Sequence, residues 1–294
     1  AGLRGRLGLG RRGRPEGDSG GADPAPPGPL SVLAFQGTCG GAGATTLAVT
    51  LAAELARLGL ETCLLDLDPQ FGGVATYLDL RAPSQVADAY RNLTRLDTDA
   101  FRSCLVEAAP GLKVFPAPDE VLPLDAIDEE SVSRLIGCAR AVARVVVIDM
   151  PHALADWSDR AYVEADRVYC VSLPDVRSAQ NARKLMALLS GARLPPGRMV
   201  HCLNRLPQRR LPPELQRNIA SFEQGLGRPF AERFVDGGVE VSAACDLGTP
   251  LAELAAANPL RRQVAALADR LAADHRTAAE ARGAGLLAPQ GSRA

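Results

Sequence analysis

A run of glycines set between an apolar stretch and a helix-periodic one limits what this chain can fold into more than any other feature. Leu30 to Phe35 is apolar, Gly37-Thr38-Cys39-Gly40-Gly41-Ala42-Gly43-Ala44-Thr45-Thr46 follows, and Leu47, Leu51, Ala52, Leu55 and Leu58 recur at helical spacing. The order is strand, glycine loop, helix. Gly40, Gly41 and Gly43 let backbone N–H groups converge on an anion with no Cβ in the way, and a helix beginning near Ala44 turns its positive end to the same point. A polyphosphate suits such a place. Thr45 stands where a hydroxyl would coordinate Mg²⁺, and Thr46 is one step further on for a phosphate oxygen. One part is missing: the pattern G-x-x-x-x-G-K-[ST] wants lysine before the first threonine, and that position is Ala44.

A tight turn without a ligand also explains a lone glycine loop, so the rest of the chain has to decide. Leu64-Leu65-Asp66-Leu67-Asp68-Pro69-Gln70 ends a second strand in paired carboxylates, and Val145-Val146-Val147-Ile148-Asp149-Met150-Pro151 ends another in a single one. Parallel sheets gather their strand ends on one edge, which brings all three loops to one crevice. Strand and helix patterns alternate from Leu30 onward, as in an α/β, doubly wound, mostly parallel sheet with helices on both faces. The alternative for Asp66 and Asp68 is that they cap the turn that follows them.

The run from Cys39 to Thr46 resembles the deviant Walker A of the ParA/MinD ATPases, K-G-G-x-G-K-T-T. Asp66-Leu67-Asp68-Pro69-Gln70 is similar to their D-x-D-P-Q switch segment, Asp149-Met150-Pro151 to their Walker B, and Asn204-Arg205 to their adenine-reading asparagine. Within that superfamily the chain looks most like the CpaE/TadZ proteins of Tad (Flp) pilus assembly, through Asp149-Met150-Pro151-His152, the substituted loop lysine and Leu247-Gly248-Thr249-Pro250-Leu251. The resemblance covers about residues 30 to 275. It implies a P-loop ATPase domain over 30–275, a Gly/Pro/Arg-rich tail over 1–29 and a flexible C-terminal tail over 276–294. Proteins of this type commonly carry a receiver-like domain ahead of the ATPase, and the 29 residues given before Leu30 are too few to form one.

For the site, the resemblance implies ATP with Mg²⁺ as ligand. Gly40, Gly41, Ala42, Gly43, Ala44, Thr45 and Thr46 would cradle the phosphates and Asn204 the base. Thr45, Asp66 and Asp149 would serve the metal, and Asp68 would orient the attacking water. The family's Walker A lysine maps to Ala44, and its signature lysine, which reaches the partner's nucleotide across a dimer, maps to Cys39. Losing such a charge typically costs a factor of about 10² or more in rate, whereas binding keeps its backbone amides and metal. The expected protein is therefore a nucleotide-gated switch with slow or absent hydrolysis, acting as an ATP-dependent homodimer. It would dock the Tad/Flp pilus or secretion machinery or a polar landmark protein. An arginine from elsewhere is the available rescue.

Composition narrows the partners. The 294 residues are 47% hydrophobic, enough for a sizeable core in one large domain, and carry a net charge of −1. The pI is near 6.4, so nucleic-acid binding needs a local basic patch. The seven cysteines are scattered and form no C-x-x-C pair, which reads as reduced thiols in a cytoplasmic protein; Cys39, beside a helix N-terminus, is the one placed for reactivity. No run of 18 or more apolar residues exists to span a membrane, and no stretch of the sequence reads as a signal peptide. Any place at the cell pole or on the inner membrane would come through partners.

In order along the chain, Phe71 to Leu80 is the segment expected to respond to a γ-phosphate. One or two helices are expected over Ser84 to Ala108, a strand over Leu112 to Phe115, and helices over Glu129 to Ala143, Ala155 to Glu164 and Ser178 to Leu189. Strands are expected at Arg167 to Leu173 and at Met199 to Leu203, and a closing amphipathic helix over Leu260 to Asp274. Gly283-Ala284-Gly285-Leu286-Leu287 is short and glycine-broken, unlike the basic membrane helix that ends MinD proteins.

Arg205, Arg209, Arg210 and Arg217 form a basic run that reads first as a solvated face and second as a surface for DNA. That second reading belongs to the alternative function, an active ParA/MinD-type ATPase positioning a chromosome, plasmid or division site. DNA retardation at two salt concentrations separates the two readings. Only a DNA-held ATPase shifts DNA in an ATP-dependent, salt-steep way, and no such shift is expected here.

Overall fold

The computed structural model describes residues 31–191, 194 and 196–286. Its strands are β1 (Ser31–Gly37), β2 (Thr62–Asp66), β3 (Val106–Ala109), β4 (Leu112–Phe115), β5 (Val145–Asp149), β6 (Arg167–Ser172), β7 (Met199–Leu206) and β8 (Glu232–Val235). They form one sheet in the order β3-β4-β2-β5-β1-β6-β7-β8, parallel throughout except for the β3/β4 pair. The helices are α1 (Ala44–Arg57), α2 (Val74–Tyr77), α3 (Gln85–Arg91), α4 (Thr98–Ser103), α5 (Glu129–Val142), α6 (Ser158–Glu164), α7 (Val176–Gly191), α8 (Pro213–Leu226), α9 (Val239–Asp246), α10 (Leu251–Leu254) and α11 (Pro259–Leu286).

The central strands read as unbroken apolar runs because both of their faces are covered. β2 and β5 are buried at every position. Alternate side chains then divide between two cores. Leu33 and Phe35 join Leu47, Leu51 and Leu55 of α1 and Val264 and Leu267 of α11. Val32 and Ala34 join Val132 and Ile136 of α5, Tyr162 of α6 and Leu185 of α7. A third, smaller core lies under α8, where Ile219 and Phe222 pack on Leu203 and Leu206 of β7. The doubly wound arrangement expected from the sequence is the one observed.

Three expectations change. The stretch 84–108 holds two helices, but its end is β3, an antiparallel edge strand paired with β4. Pro110-Gly111 is the turn between them, with Gly111 at φ +79°, a reversal that only the dipeptide announced. The basic stretch after β7 leads into α8, with proline in its first turn and Gly227 as left-handed C-cap; β8 and α9 follow, and the sequence pattern had marked none of the three. Finally, α11 runs past residue 275 to Leu286, through Gly283 and Gly285, into the stretch expected to be a tail. The expected tail over 1–29, Leu30 and the end of the expected C-terminal tail, 287–294, lie outside the described residues. Among the described residues no helix is long and apolar enough to cross a membrane.

The C-terminal end of α1 is pinned to α11. Its Glu54 is buried, and accepts from Arg261 of α11 at 2.6 and 2.9 Å and from Arg57 at 3.0 Å. Asn258 caps α11 by accepting from the Leu260 amide at 3.0 Å, so the helix starts where Arg261 meets Glu54. Removing one partner of a buried pair leaves the other uncompensated, at about 3–5 kcal/mol. With Arg57 remaining, Arg261→Met should destabilise the fold by roughly 2–4 kcal/mol in chemical denaturation. A loss below about 1 kcal/mol would mean that the pair is no more than a surface contact.

Candidate functional site

The site is built where β1, β2 and β5 end. Asp66 and Asp149 are direct partners in the β2/β5 ladder, so in-register pairing alone sets the two carboxylates side by side. Gly43, at φ +89°, turns the chain from the loop into α1. A Cβ there would stand 2.5 Å from Asn204 Nδ2, so the position admits neither a side chain nor a right-handed backbone. At Gly40 and Gly41 an added Cβ would meet nothing within 4 Å, which leaves an open cradle above the first amides of α1. The cleft over this cradle has a volume of about 270 Å³ and is lined by the loop with Asp68, Tyr77, Asp149 and Arg205.

Thr45 donates to Asp149 Oδ2 at 2.8 Å, closing the gap between the helix start and the β5 end. The other oxygen, Oδ1, is buried with no hydrogen-bond partner. An orphaned carboxylate oxygen behind a threonine hydroxyl, beside a phosphate cradle, fits a hard cation. Among the described residues no group of three or more His, Cys, Asp or Glu could hold a metal by itself. A divalent ion here would therefore share its coordination with the ligand's own oxygens.

The paired carboxylates also serve the backbone. Asp66 is buried and accepts from the amides of Asp68 at 3.2 Å and Val74 at 3.0 Å; Tyr90 donates to its carbonyl. Asp68 Oδ1 accepts from the amides of Gln70 and Phe71, both at 3.0 Å. The turn-capping alternative is thus what the geometry displays for both. Asp66, expected to reach the metal through water, also accepts from these amides, because the chain reverses so tightly after β2 that they need acceptors, and it stays beside Asp149 in the ladder. Asp68 keeps its place on the cleft wall.

Asn204 sits within β7, donating to the Ala42 carbonyl at 2.8 Å, with its Oδ1 buried and unpartnered. It braces the loop and also lines a second cavity of about 300 Å³, bounded by Gly43, Thr46, Asp236, Gly238 and Val241. The two cavities share Gly43, Thr46 and Arg205. The glycine loop is therefore flanked by two adjoining cavities. The wall from Asp236 to Ser242 went unmarked in the sequence reading, although Asp236-Gly237-Gly238 is a turn signal, with Gly238 N donating to Asp236 Oδ1 at 2.8 Å.

The front of the loop is fastened to α7. Cys39 is buried, its Sγ 3.1 Å from Ser178 Oγ; Thr38 donates to Ser172 Oγ at 3.2 Å, and Asn181 donates to the Thr38 carbonyl at 2.8 Å. A side chain at position 39 therefore points into the fold rather than across an interface. Thr46 pairs with the Tyr77 hydroxyl at 3.1 Å, tying α1 to the segment that includes α2. All seven cysteines are free thiols.

The model of the CobQ/CobB/MinD/ParA nucleotide binding domain matches residues 33–251. An uncharacterized protein of Mycobacterium tuberculosis is 33% identical over 166 residues, 54% of this chain and 44% of that one. The chromosome partitioning protein ParA of Caulobacter vibrioides is 30% identical over 154 residues, 48% of this chain and 55% of that one. The chain thus spans about half the length of the curated relatives it matches. Among solved structures, a ParA family ATPase from Chlorobium tepidum superposes with a TM-score of 0.72 at 21% identity, covering 82% of this chain and 98% of that one. MinD from Pyrococcus horikoshii, solved with Mg-ADP, gives 0.65 at 15% identity over 82% of this chain and 96% of that one.

Burial pushes the Asp66 carboxyl up to about 7 from an ordinary value near 3.8, against the pull of the Val74 and Asp68 amides. It raises Asp149 well above the ordinary range too, with the neighbouring Asp66 adding to it and the Thr45 hydroxyl opposing it. Both groups hold protons more tightly folded than unfolded. Their contribution to stability is complete below about pH 4 and is lost as pH rises through about 7 for Asp66. Asn at 149 is neutral at every pH. Asp149→Asn should make the free protein more stable than its parent at pH 8, with the difference shrinking toward pH 5 in thermal melts. Equal slopes of stability against pH would show that Asp149 does not titrate in this way.

Proposed function

Because the chain belongs to the CobQ/CobB/MinD/ParA nucleotide-binding domain family, we propose that it is an ATP-binding switch of the CpaE/TadZ type, serving localisation and assembly of a Tad/Flp pilus and turning ATP over slowly or not at all. One observation carries the reading. The phosphate cradle and the Thr45–Asp149 pair are intact, while Ala44 and Cys39 stand in both lysine positions and Cys39 faces Ser178.

Thr45 and Asp149, with Asp66 beside Asp149 in the ladder, are the residues that would hold Mg²⁺, and the ion would set positive charge against the phosphates. The loop amides and the α1 N-terminus take the phosphate oxygens, and the cavity beyond Asn204 takes the base. Asp68, on the cleft wall, would orient a water. Its Oδ1 is already committed to the Gln70 and Phe71 amides, which suits a group that shapes the segment more than one that moves a proton. Hydrolysis has neither the family's lysine in cis at 44 nor one in trans at 39, and a lost transition-state cation costs about 10² or more in rate. Binding keeps its cradle.

Phe71 is 80% exposed on the cleft wall, an apolar group that a face-to-face homodimer would cover in the ATP state. That state would be the one that docks pilus or secretion machinery or a polar landmark. Arg209, Arg210 and Arg217 are exposed, and they favour, as a second reading, a partition-type ATPase held on DNA.

Equilibrium binding of ATP with and without Mg²⁺ tests the proposal on the parent and on Thr45→Ala. Mg²⁺-dependent binding should fall by about tenfold or more in the variant, phosphate release should stay near background in both, and sedimentation in the same titration should report an ATP-dependent dimer. No binding at millimolar ATP would overturn the switch.

A further inference from the structure

Taking the nucleotide site as read, we propose that Arg205 supplies, in cis, the positive charge toward the phosphate chain that Ala44 and Cys39 do not. Arg205 is the one lysine or arginine among the residues lining the phosphate-side cleft, and it also lines the base-side cavity that shares Gly43 and Thr46 with that cleft. Its position is the passage from phosphates to base. Among the described residues its guanidinium has no ion-pair or hydrogen-bond partner, unlike Arg140, Arg160 and Arg261, which are committed to Glu164 and Glu54.

The backbone gives an independent reason. From Leu203 to Leu206, β7 advances three residues while β8 advances two, from Arg233 to Val235, so Asn204 and Arg205 occupy a bulge in an otherwise regular parallel pair. Arg205 there has φ +55°, a left-handed conformation unfavourable for a residue with a Cβ. Bulges of this kind re-aim side chains, and they gather beside ligand sites. Here the bulge buries Asn204 against Ala42, and it brings Arg205 to the rim of both cavities. A regular strand with alternating faces would not deliver two successive residues to the same cavity. Arginine suits the role, since its guanidinium is always charged and takes phosphate oxygens in a fork.

The charge enters from the base side and not from the loop where the lysines would stand. It therefore favours holding the phosphate chain over assisting departure of the terminal group, in keeping with a switch that binds more than it hydrolyses.

The test is calorimetric titration of ATP with Mg²⁺ into the parent, Arg205→Gln, Arg205→Lys and Arg205→Gly. A charged contact to phosphate predicts ATP affinity lower by about tenfold to a hundredfold in the Gln and Gly variants, with most of the affinity kept by Lys. Glycine accepts φ +55° without strain, so Arg205→Gly should melt no lower than the parent while losing the affinity. Unchanged ATP affinity in Arg205→Gln, or an equal fall in the Gln and Lys variants, would overturn the assignment while leaving the nucleotide site standing. Absence of ATP binding by the parent removes the site itself, and the role of Arg205 with it.

Discussion

The hydrogen bond from Thr45 to Asp149 is the contact on which the site depends. It joins the first turn of α1 to the last residue of β5, two elements from distant parts of the chain. Each is fixed by its own packing: α1 by the Leu47, Leu51 and Leu55 stripe and by the buried Glu54–Arg261 pair, β5 by burial on both faces between β1 and β2. A hydroxyl and a carboxylate held 2.8 Å apart by two rigid elements are preorganised, so little reorganisation remains for a ligand to impose. The same rigidity keeps an unpartnered Asp149 oxygen buried, at a cost in stability that only a ligand or a proton relieves.

Around that contact, polar side chains serve the backbone before they serve a ligand. Asp66, Asp68 and Asn204 all bond to main-chain groups of the loops that form the site, and Thr38, Cys39 and Asn181 bind the glycine loop to β6 and α7. A glycine-rich loop has much conformational freedom to lose, and these contacts hold it in one shape ahead of binding. Inward burial of position 39 follows from the same fastening. Under the proposed reading, a small thiol that fits under α7 takes the place of a lysine able to reach a second subunit. The cradle is thereby kept and the long cationic arm given up.

Much of this was legible in the residues. The glycine loop, the strand ends at Asp66 and Asp149 and the apolar stripe of α1 each rest on a local pattern, and each fell within a residue or two of its observed place. The C-terminal half was less legible. β8 is four residues long, α9 has little apolar periodicity, and α8 begins in a stretch whose arginines drew the reading toward a charged surface. The β3 strand was lost in a helical expectation because four residues are too few to show alternation, and only Pro110-Gly111 marked the hairpin.

The sequence by itself determined the architecture and the candidate ligand class, because periodicity and glycine spacing are local properties that survive without knowing the neighbours. It also put uncharged Cys39 and Ala44 where the pattern it resembles has lysines. What only the tertiary structure decided was the direction of each functional group. Asp66 turns to backbone amides, Cys39 to Ser178 and Arg205 to the junction of two cavities, none of which follows from residue type or spacing. The physical reason is that orientation comes from register and bulges between strands far apart in the chain. The shift between β7 and β8 moves Arg205 from a solvated basic run to the edge of the site, and no window of sequence contains both strands' contribution to that shift.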